Sequence, residues 1–188
     1  MLRLHTLAPR RCRGLAGGLL GATLKWSLGV LVYGIIMMRW LGIDHGSRRI
    51  GLAVGDTAGG IATPLEVLPA DPVEHVLRRI VELAGQYQAA GAVVGWPLNM
   101  DGTEGPQARL ARDMALRLRQ AAPTLDVRLW DERLSSFQAD QDLAGHLTRA
   151  QKKARQDAVA AAVMLQDFLA RGGPDAATTP DAPPPTKD

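Results

Sequence analysis

The order of strand-like and helix-like segments restricts the fold of this 188-residue chain more than any other feature. Three short segments rich in branched apolar residues come first, and helix-like and strand-like segments then alternate up to Ala170. A strand hairpin followed by such alternation predicts a mixed parallel and antiparallel sheet with helices on both faces. We therefore expect an α/β domain on five strands, at residues 39–44, 50–54, 61–68, 91–97 and 125–130, with helices from about Asp71 to Ala84, Pro106 to Ala121 and Arg149 to Ala170.

The composition excludes several classes of protein. Hydrophobic residues make up 46% of the chain and charged residues 22%, which permits one globular domain with an apolar core. Cys12 is the only cysteine, so the sequence can form neither an internal disulfide nor a cysteine-based metal site. The net charge of +3 comes from the first 37 residues, which hold five basic residues and no acid. The overall basicity therefore gives no indication that the domain binds nucleic acid.

Residues 1–37 form an apolar and basic N-terminal extension, for which three interpretations stay open. Residues 15–38 are long enough to span a membrane, but Lys25 interrupts them. A secretory signal would have the same basic start and apolar middle, but the first predicted strand follows at once without a cleavage spacer. The third interpretation, which we prefer, is a mis-assigned start, with translation beginning at Met37 or Met38. On this interpretation we expect no stable membrane partner.

The sequence divides the remainder into a folded domain and a tail. The domain spans residues 38–171 and contains every predicted strand and helix. Residues 172–188 consist mainly of proline, alanine, threonine and aspartate, with little to bury. Such a composition predicts a disordered, proline-rich tail.

Several acidic residues fall at positions where a cation site could form. Asp44 ends the first predicted strand, and Glu132 follows the fifth. Asp157 lies on the last helix in one stripe with Ala161, Met164 and Phe168, a stripe that should face the sheet. Each acid alone could be an ordinary turn or surface residue, but together they can converge on one point and bind Mg²⁺ or Mn²⁺ through oxygen. Asp131 is a reserve candidate, and Asp101 and Glu104 are weaker ones because their loop is rich in glycine.

Four ordered segments carry a family resemblance. These are WLGIDHGSRRIGLAVGD, VVGWPLNMDGTEGPQA, LWDERLSS and RQDAVAAAVMLQDFL, and the resemblance extends over about residues 39–169. In order and spacing they resemble the motifs of the YqgF/RuvX family of pre-16S rRNA nucleases, which are related to Holliday junction resolvases. The departures are mild: Ser47 and Ser136 stand where threonine is frequent, and His45 stands where an apolar residue is commoner.

The resemblance implies an RNase H-like fold, a cytoplasmic setting and a role in maturing the 5′ end of 16S rRNA. The expected partners are precursor rRNA and the immature small ribosomal subunit, with structured DNA as a further option. Together with the convergence of the acids, the resemblance favours Asp44, Glu132 and Asp157 as catalytic metal ligands of a two-metal nuclease. We expect the substrate to contact seven residues: Arg48, Arg49, Asn99, Gly102, Thr103, Lys152 and Lys153.

Three other functions stay open on the sequence. A DNA junction resolvase would use the same fold and the same cations. An ATP-using sugar kinase or actin-like protein also carries an Asp-x-Gly-Ser turn, but that class needs two such domains. A ribosome assembly factor could keep the acids and act by docking alone. The substrates that are cleaved, or the absence of cleavage, would separate these functions.

Overall fold

The computed structural model describes residues 38–134 and 149–183, with the backbone alone given for Leu134 and for residues 149–155. The chain divides into two units, Met1–Ile35 and Ile36–Asp188, and all described residues belong to the second. The predicted N-terminal extension therefore lies outside the described residues. Among the described residues, no helix combines the length and apolar character that crossing a membrane requires.

The described residues form five strands and three helices in the predicted order. The strands are β1 (Arg39–His45), β2 (Arg49–Asp56), β3 (Ala62–Pro69), β4 (Gly91–Trp96) and β5 (Asp126–Asp131). The helices are α1 (Val73–Tyr87), α2 (Pro106–Ala121) and α3 (Arg149–Ala170). The predicted helix bounds of α2 and α3 are thus confirmed, and the strand bounds differ by one or two residues.

The strands make one mixed sheet in the order β3-β2-β1-β4-β5. β1 pairs antiparallel with β2, and β2 with β3, whereas β1 and β4 are parallel, as are β4 and β5. Every residue of β4 is buried, as expected of a strand covered on both faces. Because β1, β4 and β5 run in the same direction, their carboxyl ends meet at one edge of the sheet.

Helices cover both faces of the sheet, as the sequence predicts. α1 and α2 bury apolar stripes, among them Ile80 and Met114, against one face. α3 covers the other face, where Phe168 contacts the rings of Trp40 and Trp130 with centroids 5.0 and 5.6 Å away. The residues predicted to share a stripe with Asp157 are buried, which confirms the predicted phase of α3.

Residues 172–183 continue along the outer edge of the sheet, and we call them the C-terminal strap. A short 3-10 helix, Gly173–Ala176, is followed by a backbone bridge in which Thr178 and Leu129 exchange two hydrogen bonds of 2.7 and 3.0 Å. Pro180 is buried, and Asp181 pairs with Arg119 of α2. The prediction of a disordered tail is therefore corrected for residues 172–183, because backbone pairing and the ion pair between Asp181 and Arg119 hold a segment that has few apolar side chains.

Candidate functional site

Two predicted acids lie at the edge where the parallel strands end. Asp44 is the penultimate residue of β1, and Glu132 is the first residue after β5. β4 lies between these strands, so Glu132 has to reach across it to approach Asp44. Gly95 makes this possible: a Cβ at this position would overlap Glu132 Oε1 and lie 3.1 Å from Glu132 Cδ. Because Gly95 has no side chain, the Glu132 carboxylate can occupy the space next to it.

Asp157 approaches Asp44 from the helix that covers this face. Gly51 of β2 pairs with Asp44 in the sheet register. The backbone of Asp157 packs directly on Gly51, where a Cβ would lie 2.6 Å from the Asp157 carbonyl carbon. Close packing of α3 on a strand glycine therefore brings a helix residue to the end of β1.

The negative charges of these acids repel one another. Burial, and after it the negative charge of Asp157, raise the pKa of Asp44 from 3.8 to about 6. Burial, and after it repulsion from Asp44 and Asp131, raise the pKa of Glu132 from 4.5 to about 7. Asp44 is thus the electrostatic neighbour of both other predicted ligands. The arrangement favours a cation at this edge.

Arg49 partly compensates this negative charge. Its Nε atom lies 2.6 Å from Asp157 Oδ2, and both side chains are about 30% exposed. The contact lacks hydrogen-bond alignment, and the buried Oδ2 atom has no hydrogen-bond donor among the described residues. An ion pair of this kind leaves the oxygen able to accept a better-placed cation.

The donor atoms of Asp44, Glu132 and Asp157 suit a hard divalent cation, but the three side chains are not yet spaced to bind one. Their donor atoms are carboxylate oxygens, which Mg²⁺ and Mn²⁺ prefer. Glu132 occupies the space above Gly95, and Asp157 keeps a buried oxygen without a hydrogen bond. Within residues 38–134 and 149–183, however, no three histidine, cysteine or acidic side chains are placed as a metal site requires. Because Arg49 pairs with Asp157, a cation would have to draw Asp157 away from that arginine.

The reserve acids are engaged elsewhere. Asp131 forms an ion pair with Arg133, whose Nη2 lies 2.7 Å from Asp131 Oδ2. Asp101 Oδ1 accepts hydrogen bonds from the backbone and the hydroxyl of Thr103. Glu104 pairs with Arg112 at 2.8 Å. These contacts give each reserve acid a structural partner, and Asp44, Glu132 and Asp157 stay the candidates because they come together at the sheet edge.

The segment from Pro97 to Gly105, which we call the β4–α2 loop, follows the buried strand β4. Asn99 donates through Nδ2 to Thr103 Oγ1 at 2.9 Å, and its backbone N–H donates to the Thr103 carbonyl at 2.9 Å. Gly102 has a φ angle of 85°, a left-handed conformation that suits glycine. Arg133 Nη1 also donates to the carbonyl of Asn99 at 3.3 Å. The predicted substrate-contact residues of this loop therefore form one hydrogen-bonded unit beside the acids.

The predicted basic contacts differ in how far the structure describes them. Arg48 is exposed, whereas Arg49 is half-buried and paired with Asp157. The side chains of Lys152 and Lys153 lie outside the described residues, so their assignment stays a prediction.

Sequence reasoning missed three residues that position the candidate site. Gly51 and Gly95 each permit a close approach, and an isolated glycine inside a strand is the signal that could have identified them. Arg112 binds Glu104 of the loop from the neighbouring helix, and an internal helix arginine carries no comparable signal.

The raised pKa values predict how stability depends on pH. In the absence of divalent cations, folded Asp44 and Glu132 hold protons more tightly than in the unfolded chain. The stability that these two acids add to the folded state is fully present below about pH 4. It is lost as pH rises through about 6 for Asp44 and about 7 for Glu132. Since one pKa unit corresponds to about 1.4 kcal/mol and coupled acids share their shifts, we expect a loss of about 3 kcal/mol. Urea unfolding between pH 4.5 and 8 with a chelator present measures this loss.

The matched control is the double variant Asp44→Asn, Glu132→Gln, which should lose most of this dependence. His45 acts in the opposite sense, because burial lowers its pKa from 6.5 and its contribution is lost as pH falls. Equal pH dependence in the parent and the double variant would contradict the assignment of the effect to these two acids.

Comparison with known proteins gives a consistent set of relatives. The family model described as "RuvX: Holliday junction resolvase" matches residues 38–171. A protein of Anaeromyxobacter sp. (strain K) is 49% identical over 142 residues, covering 73% of this chain and 100% of the relative. A protein of Limosilactobacillus reuteri (strain DSM 20016) is 36% identical over 140 residues, covering 72% of this chain and 95% of the relative. Both relatives carry the name "Putative pre-16S rRNA nuclease".

A solved structure supports the fold. The chain is similar to Thermus thermophilus RuvC, solved in complex with a Holliday junction substrate, with a TM-score of 0.50 and 15% sequence identity. The match covers 75% of this chain and 98% of RuvC. At this identity the likeness concerns the fold alone, and it confirms the predicted RNase H-like architecture.

Proposed function

The chain belongs to the RuvX family, and from this premise we propose that it is a divalent-cation-dependent nuclease that matures the 5′ end of precursor 16S rRNA. Hydrolysis of a phosphodiester bond is the chemistry that the names of the family and of its curated relatives share. The observation that carries the proposal is the pair Asp44 and Glu132, two half-buried carboxyls with raised pKa values at the sheet edge. Both carboxyls are costly to ionise without a counter-charge, and a bound cation would supply that charge.

Asp44, Glu132 and Asp157 would hold the cations in this proposal. A bound Mg²⁺ or Mn²⁺ would supply Lewis acidity to the displacement at the phosphodiester. The protein orients the carboxylates through rigid elements: Asp44 on a central strand, Glu132 in the space above Gly95 and Asp157 on a packed helix. The fit rests on oxygen donors and on the buried Oδ2 atom of Asp157 that lacks a hydrogen bond.

Cationic and polar side chains around the acids would bind the phosphates of the substrate. In this proposal Arg49 pairs first with Asp157 and then with a substrate phosphate. Its guanidinium becomes available to a phosphate oxygen once Asp157 turns toward a cation. Arg48, an exposed residue next to β2, would add positive charge near this edge, and Lys152 and Lys153 precede Asp157 on α3. In the β4–α2 loop, Asn99 and Thr103 offer hydrogen bonds and Gly102 permits close approach of a polyphosphate backbone.

The proposed partners are precursor rRNA and the immature small ribosomal subunit, with the cytoplasm as the site of action. A DNA four-way junction is the alternative substrate, because the matching family is described as a Holliday junction resolvase. The two substrates differ in backbone sugar and in branching. Both contain phosphodiester bonds, so the same site could act on either.

We expect the purified chain with Mn²⁺ to cleave a precursor 16S leader RNA at least about tenfold faster than a four-way DNA junction. A mature 16S 5′ fragment without the leader serves as the matched RNA control, and excess chelator should stop cleavage. The readout is the initial rate at fixed salt with both ends of each substrate labelled. Faster cleavage of the DNA junction would replace the proposal by the resolvase function. Binding of immature subunits without any cleavage would replace it by an assembly role.

A further inference from the structure

The C-terminal strap lies beyond the residues that the family model matches, yet it reaches toward the candidate site. Its carbonyl at Ala182 accepts a hydrogen bond of 2.9 Å from Arg112 Nη1. Its Asp181 forms a two-pronged ion pair with Arg119, in which Nη2 lies 2.5 Å from Oδ1. Arg112 and Arg119 are seven residues apart on α2, which places them on one face of the helix two turns apart. The strap therefore docks along one face of α2.

Arg112 connects the strap to the β4–α2 loop. Its Nε atom lies 2.8 Å from Glu104 Oε1, and both side chains are largely buried, with 15% and 12% exposed. The same carboxylate oxygen accepts a hydrogen bond of 2.9 Å from the indole N–H of Trp96. The guanidinium carbon also lies 5.0 Å from the centroid of the Trp96 ring, within the range of a cation–π contact. Arg112 thus fixes the end of β4 and the last part of the loop to each other.

The strap supplies Arg112 with an aligned hydrogen-bond acceptor. Within the described residues, Arg112 Nε and Nη2 have no aligned hydrogen-bond acceptor, so the ion pair with Glu104 alone does not set the plane of the guanidinium. The Ala182 carbonyl supplies an aligned acceptor. An ion pair in a largely buried setting is strengthened when further hydrogen bonds satisfy its donors.

We propose that Arg112 is a positioning residue for the β4–α2 loop and that the C-terminal strap holds Arg112 in its working orientation. The inference deepens the proposed function, because the loop is where Asn99 and Thr103 would contact the nucleic-acid substrate. Arg112 acts on substrate binding through Glu104 and contacts neither the substrate nor the carboxylates of the cation site.

Amide hydrogen exchange tests the positioning role without any cleavage assay. The backbone N–H groups of Asn99, Gly102 and Thr103 are hydrogen-bonded within the loop, so their exchange reports its order. We expect Arg112→Met to accelerate their exchange about tenfold and Asp181→Asn to accelerate it several-fold. The amides of Val93 and Val94 in β4 report global unfolding, so they should accelerate less than the loop amides.

Matched controls separate positioning from a general loss of stability. Arg117→Met breaks an exposed ion pair with Asp113 on the same helix, and Asp175→Asn removes an exposed acid from the same strap. Both controls should leave loop exchange unchanged. The inference is overturned if Arg112→Met accelerates loop and β4 amides equally, or if Asp181→Asn matches Asp175→Asn.

Cleavage kinetics provide the second readout. For Arg112→Met and Asp181→Asn we expect KM for the RNA to rise about tenfold, with kcat and the Mn²⁺ affinity measured by calorimetry within about twofold of the parent. A fall in kcat with unchanged KM would overturn the positioning role. If the parent itself cleaves no substrate, the proposed function fails while the exchange experiment still decides the inference about Arg112.

Discussion

Asp44→Asn is expected to reduce cation-dependent phosphodiester cleavage by about 10³-fold or more while the protein stays folded. Asp44 is the electrostatic neighbour of both Glu132 and Asp157, so its charge is common to every cation position that the three acids can form. Asparagine keeps the size of the side chain and one oxygen but removes the negative charge. Single-turnover cleavage of precursor RNA with saturating Mn²⁺ measures the loss.

The control for this variant is Asp126→Asn, an exposed acid at the beginning of β5, far along the strand from its carboxyl end. Its activity should stay within about twofold of the parent, because its partner is Arg128 and not the cation site. At pH 8 and without divalent cations, Asp44→Asn should also raise Tm, since it removes a half-buried charge that repels Asp157. Undiminished cleavage by Asp44→Asn would exclude Asp44 as a ligand.

Gly51→Ala is expected to destabilise the protein by about 3 kcal/mol, which corresponds to a fall in Tm of about 10 °C. The added methyl group would overlap the carbonyl of Asp157 and lie 3.2 Å from the backbone nitrogen of Ala158. These atoms belong to the backbone of α3, so relief requires a shift of the whole helix away from the sheet. Calorimetry and urea unfolding measure the change.

Gly85→Ala is the matched substitution for this experiment. Gly85 lies in α1, is exposed, and has no atom within 4 Å of the position that a Cβ would take. Alanine there should stabilise the protein by about 0.5–1 kcal/mol, because it favours the helical backbone. If both alanine variants had the same stability, the close approach of α3 to β2 would not be a constraint on the fold.

The arrangement of the helices and strands could be predicted because the relevant signals are local. β4 is a short branched apolar segment, and α2 and α3 show periodic apolar stripes that predict their bounds. The parallel direction of β1, β4 and β5 follows from the helices that connect them. The sequence therefore predicts that acids gather at the carboxyl ends of these strands, although it does not predict their exact contacts.

The remaining features depend on contacts between distant residues. The pairing of Arg49 with Asp157 joins a hairpin to the last helix, and nothing in either segment indicates the other. The path of Glu132 across β4 depends on Gly95, whose importance appears only when the strand order is known. The C-terminal strap is held by a backbone bridge and by Arg112 and Arg119, none of which a composition of proline, alanine and threonine predicts.

The strap also bears on how copies of this chain meet in concentrated solution. An outer strand with free N–H and C=O groups can recruit a strand from another molecule, which leads to aggregation. On β5 the bridge between Leu129 and Thr178 occupies that outer side, and on β3 the residues Pro64 and Pro69 lack the N–H that an incoming strand would need. Removal of the strap would therefore expose one flank of the sheet to intermolecular strand pairing while the other flank kept its proline protection.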